Sequence, residues 1–225
     1  KTINNILAVR FIILVILVIV LFIANLFIGS VHIPVGEVLS ILTGGDAAND
    51  AMSYIIIGSR LPQAVTAMLT GAALAVSGLM MQTLFRNPLA GPSVLGISAG
   101  ANLGVALVML FLGSSVTIGS LAVSGYAAVI VGAFLGSIAI MLLLILLSSI
   151  LRDDLMFIIT GVLISYLTSS IITLLNYSAS AHGLQGFILW GMGSFNGVSA
   201  DQMPVFVMVT LLGIALSLTL IKPLN

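Results

Sequence analysis

Residues 11–29 read FIILVILVIVLFIANLFIG, nineteen positions without a charged side chain. Crossing the hydrocarbon core of a bilayer takes about 20 apolar residues in a helix. A buried helix of a soluble domain seldom needs so long a run. In lipid the backbone N–H and C=O groups must bond within their own segment, which favours a helix for this stretch. The run exceeds the apolar core of a secretory signal, and no small-x-small cleavage pattern closes it. It therefore reads as a retained first span.

The rest of the chain has the same character. Of 225 residues, 60% are hydrophobic and 5% are charged, with six basic and six acidic side chains and a mean hydropathy of +1.34. Ordinary soluble domains carry about 25% charged residues. Twelve charges cannot clothe a water-facing surface of this size, so a soluble enzyme and a disordered tail are both excluded. Six cations cannot neutralise many phosphates, which argues against a nucleic-acid partner. With no cysteine and two histidines, thiolate chemistry is absent and no metal site is expected. The fold class expected is an all-α integral membrane protein, a polytopic helix bundle embedded in the lipid bilayer.

Charge-free intervals divide this bundle into six spans, at about 11–29, 61–85, 94–112, 124–150, 155–176 and 203–221, within one transmembrane domain over 1–225. Residues 87–151 hold no charge and are too long for one helix, so they break at the Gly/Ser-rich stretch 113–125. Pro34, Pro62, Pro88, Pro92, Pro204 and Pro223 fall at or near span ends, where the missing N–H does least damage. Between Tyr177 and Asp201 the segment 184–192 is too short to cross. With Trp190 suited to a membrane interface, it reads as a short external helix after the fifth span. If the N-terminus is cytoplasmic, Lys1, Arg10, Arg86, Arg152 and Lys222 lie inside and only Arg60 lies outside. That is the bias expected of a membrane protein.

Small residues allow helices to approach closely in lipid. Gly96, Gly100 and Gly104 repeat at four-residue spacing on the third span, as do Gly132 and Gly136 on the fourth. Gly71 with Ala75 forms a weaker pair on the second. On the fifth span Gly161, Ser165, Thr168, Ser169, Ile172, Thr173 and Asn176 recur at three- and four-residue spacing, giving one broad polar or small stripe. Hydroxyls in lipid need partners. Back-bonding to i−4 carbonyls with helix packing accounts for the stripe, and so does a lining for a route taken by a bulky solute.

Two enzyme readings fail on spacing. Gly96-Ile97-Ser98-Ala99-Gly100 matches G-x-S-x-G, but that motif needs a strand-to-helix turn of a soluble hydrolase. The expected topology also sets His32 and His182 about a bilayer thickness from Ser98. A P-loop needs a Lys following Gly, and neither Lys1 nor Lys222 does.

Residues 71–101, GAALAVSGLMMQTLFRNPLAGPSVLGISAGA, carry a more specific signal. With Arg60-Leu61-Pro62 before them, they resemble the membrane subunits of FecCD-type permeases, importers of iron–siderophore, haem and cobalamin in the ATP-binding cassette (ABC) superfamily. Gln82, Asn87, Pro88, Leu89, Gly96 and Gly100 belong to the matching motif. The likeness continues in Thr160-Gly161-Val162, Trp190-Gly191-Met192-Gly193-Ser194 and Lys222-Pro223-Leu224-Asn225. The resemblance implies ten spans in more than three hundred residues, so this sequence is expected to be a piece or truncated product ending before the cytoplasmic coupling helix.

It further implies a homodimer in the bacterial inner membrane, with an extracytoplasmic substrate-binding protein and two cytoplasmic ATP-binding cassette subunits. ATP and Mg would sit on those partners, with no cofactor on this chain, which is then not itself an enzyme. Transport would proceed by alternating access. Gly161, Ser165, Thr168, Thr173 and Asn176 would line the translocation route. Asp153 and Asp154 would stand at the cytoplasmic gate. Arg60 would dock the binding protein, although snorkelling to lipid phosphates or pairing with Glu37, Asp46 or Asp50 also accounts for it. A secondary transporter or channel is the alternative from another class. Such proteins usually place ionisable groups or broken helices in mid-membrane, whereas here every charge falls at a span end or in a loop.

Overall fold

The structure is a computed structural model that describes residues 2–45, 49–112, 116–118, 121–123, 125–151, 153–195 and 197–220. Asp46, Arg152 and the motif residues Lys222, Pro223, Leu224 and Asn225 lie outside the described residues. The chain divides into two compact units. One holds residues 1–76 and 194–223, the other 77–193 with 224–225.

In the first unit, α1 (Thr2–Phe27) runs 26 residues, about 39 Å at 1.5 Å per residue. From Ile6 to Leu21 its apolar side chains are exposed all round, as expected of a helix whose solvent is lipid. After Pro34, whose carbonyl accepts the first N–H groups of the next helix, comes α2 (Val35–Leu42). It turns Val38 and Ile41 inward to join Ile33 and Ile56 in a small core backed by Phe27, Met52 and Ile55. Asn49 caps the short α3 (Asp50–Ser53), accepting the Ala51 N–H at 2.9 Å. A π-helical stretch, Tyr54–Arg60, leads into α4 (Leu61–Leu84). Pro62 explains the widened turn: it has no N–H for the Gly58 carbonyl, and its ring crowds that oxygen. The second span thus extends back beyond residue 61, as one helical segment over Asp50–Leu84. The last helix, α9 (Met203–Thr219), starts with a proline in its first turn.

In the second unit, α5 (Ile97–Ala106) continues as a π-helical stretch, Leu107–Leu112. Two short antiparallel strands follow, β1 (Val116–Ile118) and β2 (Leu121–Val123), pairing Val116 with Val123 and Ile118 with Leu121. They occupy the stretch expected to be a Gly/Ser-rich break. Then come α6 (Gly125–Ser148), α7 (Asp154–Ser178) and α8 (Ala181–Gly191). Among the described residues four helical segments are long and apolar enough to cross a bilayer; Ile97–Leu110 and Met203–Thr219 are shorter apolar helices.

The second unit is held by glycine. A Cβ on Gly100 would stand 2.5 Å from the Gly136 carbonyl oxygen, and one on Gly104 would come closer still to that of Gly132. The two four-residue repeats therefore face each other, and α5 meets α6 backbone to backbone. The weaker pair behaves differently, since Gly71 has open space where its Cβ would stand. On one side of the seam Leu95, Ile140, Leu144 and Ile164 form a core. Val105, Val108, Ala128 and Val129 form another, against which α8 lays Phe187 and Trp190. Those two rings stack at 6.4 Å. The short helix α8 is thus seated on this unit by its aromatic face.

Candidate functional site

Helix α7 carries most of the residues expected at a route. It begins at Asp153, whose extended backbone and side chain make it an N-cap: Oδ1 accepts the Leu155 N–H at 3.1 Å. Capping of this kind satisfies one of the free donors at a helix start, so the carboxylate expected at a gate also has a local structural task. Asp154 is the first helical residue, and its side chain lies outside the described residues.

About two turns further on, Gly161 meets the chain ahead of α5. A Cβ there would stand 2.8 Å from Leu95 Cα and 2.9 Å from the Val94 oxygen. Gly96 returns the contact. Its φ of +76° is the left-handed conformation that glycine adopts without strain, and a Cβ on it would stand 2.8 Å from the Gly161 oxygen. Ser165 Oγ donates to the Gly161 carbonyl at 2.9 Å. Thr168, 3% exposed, donates to Ile164 O at 3.0 Å and Ser165 O at 2.9 Å. The stripe is therefore divided. Gly161, Ser165 and Thr168 form the packing seam of α7, with their hydroxyls bonded back to their own helix, and Thr168 is sealed within the unit.

Thr173 stands apart from that seam, whereas Asn176 continues its face two turns beyond Thr168. Thr173 is exposed and donates to Ser169 O at 2.9 Å. Asn176 is half-buried, and its Oδ1 has no hydrogen-bond partner among the described residues. A buried amide oxygen without a donor costs free energy unless water, ligand or another chain supplies one.

The motif turn between α4 and α5 is built on a helix cap. The Asn87 N–H donates to Gln82 O at 3.1 Å and the Arg86 N–H to Thr83 O at 3.3 Å. These are the two bonds of a Schellman motif, which places its C′ residue in the left-handed region. Glycine usually stands there. Here it is Arg86, with φ +46°. Asn87 then accepts the Leu89 N–H through Oδ1 at 2.9 Å, an Asx-turn around Pro88. Gln82, Pro88 and Leu89 are exposed, and Phe85 anchors the turn by stacking on Phe157 at 6.0 Å. The positive φ of Arg86 was invisible in the sequence, because no residue type there announces a left-handed cap.

Arg60 departs from expectation. It is 6% exposed, and its guanidinium donates to Leu26 O at 2.9 Å, to Phe27 O at 3.3 Å and, in a short contact, to Val31 O. The last carbonyls of α1 lack intrahelical donors, and Arg60 supplies them. Gly29 lets it in: a Cβ there would fall 2.7 Å from Nη2. A docking residue must offer its charge to a partner, whereas this guanidinium is enclosed and committed to backbone. Arg60 is a clasp between the end of α1 and the start of α4. That enclosure counts against the docking role and the lipid-snorkelling one.

Among the described residues no three His, Asp or Glu side chains are gathered as metal ligands. The arrangement combines packed glycine seams, capped turns and a helix that bears several hydroxyls. The FecCD transport family model matches residues 16–225, and the chain belongs to that family. It is 41% identical over 149 residues to the hemin transport system permease protein HmuU of Yersinia pestis, covering 66% of this chain and 43% of the relative. With the vitamin B12 import system permease protein BtuC of Klebsiella pneumoniae it shares 33% identity over 200 residues, 88% of this chain and 54% of that protein. Its fold matches that of an ABC transporter assigned to the metal-chelate type and solved in an inward-facing conformation. That match has a TM-score of 0.75 and 27% identity, over 94% of this chain and 62% of the other. The chain spans about half the length of the curated relatives it matches. Its family is a transport family, and the two curated relatives are named as permease proteins.

Proposed function

We propose that this chain forms part of the permease of a binding-protein-dependent ABC importer that moves a bulky metal chelate inward by alternating access. The observation that carries the reading is its similarity over most of its length to a metal-chelate type transporter, together with relatives named for hemin and vitamin B12 import. Two copies of the permease would pair in the bacterial inner membrane with their N-termini in the cytoplasm. Two ATPase subunits would bind ATP and Mg, and an external binding protein would deliver the solute.

Within this reading Thr173 and Asn176 line the route, because one is exposed and the other carries an oxygen in want of a donor. Gly161, Ser165 and Thr168 hold α7 in place behind them. Asp153 and Asp154 sit at the inward gate, where α7 starts. The exposed turn of Gln82, Asn87, Pro88 and Leu89 faces the same side of the membrane, at the cytoplasmic end of α4.

The test is uptake by proteoliposomes holding the full-length permease with its ATPase and binding protein. Haemin, a ferric siderophore and cobalamin would be supplied in turn. Uptake of one of them that requires ATP, Mg and the binding protein is the expected result. Uptake without nucleotide would establish a channel or secondary carrier instead.

A further inference from the structure

The short helix α2 presents three sectors around its axis. Val38 and Ile41 turn into the core with Ile33 and Ile56. Beside them Val35, Leu39 and Leu42 are 60%, 50% and 39% exposed. Their four- and three-residue steps keep them on one side of the helix. Gly36, Ser40 and Glu37 complete the circle. The apolar arc is therefore wider than the core of this unit uses, and its outer part is left open.

Arg60 fixes the depth of that open stripe. A guanidinium within the hydrocarbon is costly, so it marks an edge of the apolar layer. Its bonds to the Leu26 and Phe27 carbonyls set the end of α1 level with the start of α4. The lengths agree. Leu61–Leu84 supplies 24 residues, about 36 Å, which already exceeds a hydrocarbon core of about 30 Å. No residue before Arg60 is needed to cross. Ile56, which shares the core of α2, stands one turn beyond Arg60, roughly 5 Å further out. The headgroup layer is about 5–8 Å thick on each side, so α2 packs within it. Tyr54 is 73% exposed at the same end, and its amphipathic ring suits that layer.

We infer that α2 is an interfacial helix, lying along the headgroup–acyl boundary with Val35, Leu39 and Leu42 among lipid chains and Gly36 toward water. The occupant of the stripe is lipid, because the lipid-facing surface of α1 continues into it through Ile28, which is 75% exposed. Charge narrows the chemistry of that lipid. Residues 28–59 contain Glu37, Asp46 and Asp50 but no Lys or Arg. The contact is therefore with acyl chains and neutral headgroups, since anionic lipids are drawn to basic faces. A helix seated in this way would hold the clasped joint of α1 and α4 at a fixed depth.

The test uses the full-length permease complex in nanodiscs of phosphatidylcholine, with cysteines outside this chain replaced; the chain itself has none. A bimane fluorophore is attached in turn to Val35→Cys, Leu39→Cys, Leu42→Cys and Gly36→Cys. All four positions are exposed, and a Cβ on Gly36 would meet nothing within 4 Å. Phosphatidylcholine brominated near the top of its acyl chains should quench the first three about twofold more than the fourth, and aqueous iodide should show the reverse order, as an amphipathic helix at the boundary requires. Equal iodide quenching at all four would place α2 in water and overturn the inference. Protection of Val35, Leu39 and Leu42 from both quenchers would also overturn it, because the remainder of the permease or a second copy would then cover the stripe. Adding the binding protein should leave lipid quenching unchanged. Its loss would assign the stripe to that partner and sink the lipid reading.

Discussion

Arg60 shows how far one side chain can depart from its position in the sequence. An Arg at a span boundary suggests a surface charge, but this one is spent on three carbonyls of the chain that leaves α1. Arg60→Gln removes donors and leaves those oxygens in a poorly solvated place, at about 1–3 kcal/mol for each buried group left unpaired. We expect a clear fall in the thermal unfolding midpoint in detergent, and little change in the salt dependence of binding-protein capture. Gly29→Ala should destabilise through the same clasp, because its Cβ would meet the guanidinium. In a double-mutant cycle with Arg60→Gln the two losses should be less than additive; additive losses would separate Gly29 from the clasp. Arg86 gives the opposite sign. At φ +46° a non-glycine residue costs about 1–2 kcal/mol, so Arg86→Gly should raise the unfolding midpoint.

At the scale of elements, the contact between α5 and α6 decides whether the second unit closes. Gly104→Ala and Gly136→Ala each place a methyl group against a facing backbone oxygen. Backbone cannot swing aside as a side chain can, and overpacking of this kind typically costs about 1–3 kcal/mol. Gly71→Ala meets nothing within 4 Å. In a helix interior alanine is favoured over glycine by roughly 0.5–1 kcal/mol, so this variant should be neutral or slightly more stable. Unfolding in detergent, followed by circular dichroism, checks all three. Equal losses at Gly71 and Gly104 would mean that the four-residue glycine spacing, and not the α5–α6 contact, sets stability. The π-helical turn before Pro62 is a second element-level device, since it takes up a helix interruption without breaking Asp50–Leu84.

For the whole molecule the testable quantity is topology. With five of six basic residues assigned to one side, single cysteines at Val31 and Ser199 should label from outside intact cells. Cysteines at Asn87 and Asp153 should label only after the membrane is opened. The reverse pattern would invert the orientation and with it the reading of Asp153 and Asp154 as an inner gate. Ile97–Leu110 and Met203–Thr219 are short for a full crossing. Their ends should accordingly be more accessible to water-soluble reagents than those of α1.

The membrane class and the predominance of helix followed from the sequence alone, whereas α2, α3 and the β1–β2 pair did not. A bilayer imposes length and apolarity on any segment that crosses it, and residues 11–29 meet that demand with no help from other parts of the chain. The glycine repeats were legible for the same reason: four-residue spacing puts them on one face, and small residues on one face mean close approach. The sequence could not say which repeat met which, nor that Gly71 met none, because periodicity describes one helix and contact needs two. The polar stripe of α7 read as a single surface, since spacing cannot tell a hydroxyl bonded back to its own helix from one offered outward. Only the packing of Gly161 and Ser165 against Val94, Leu95 and Gly96, and the burial of Thr168, separated these three from the exposed line of Tyr166, Ser169, Thr173 and Tyr177. Arg60 likewise waited on tertiary structure: its partners lie about thirty residues back, and a charge finds such oxygens only after the chain has folded them into reach.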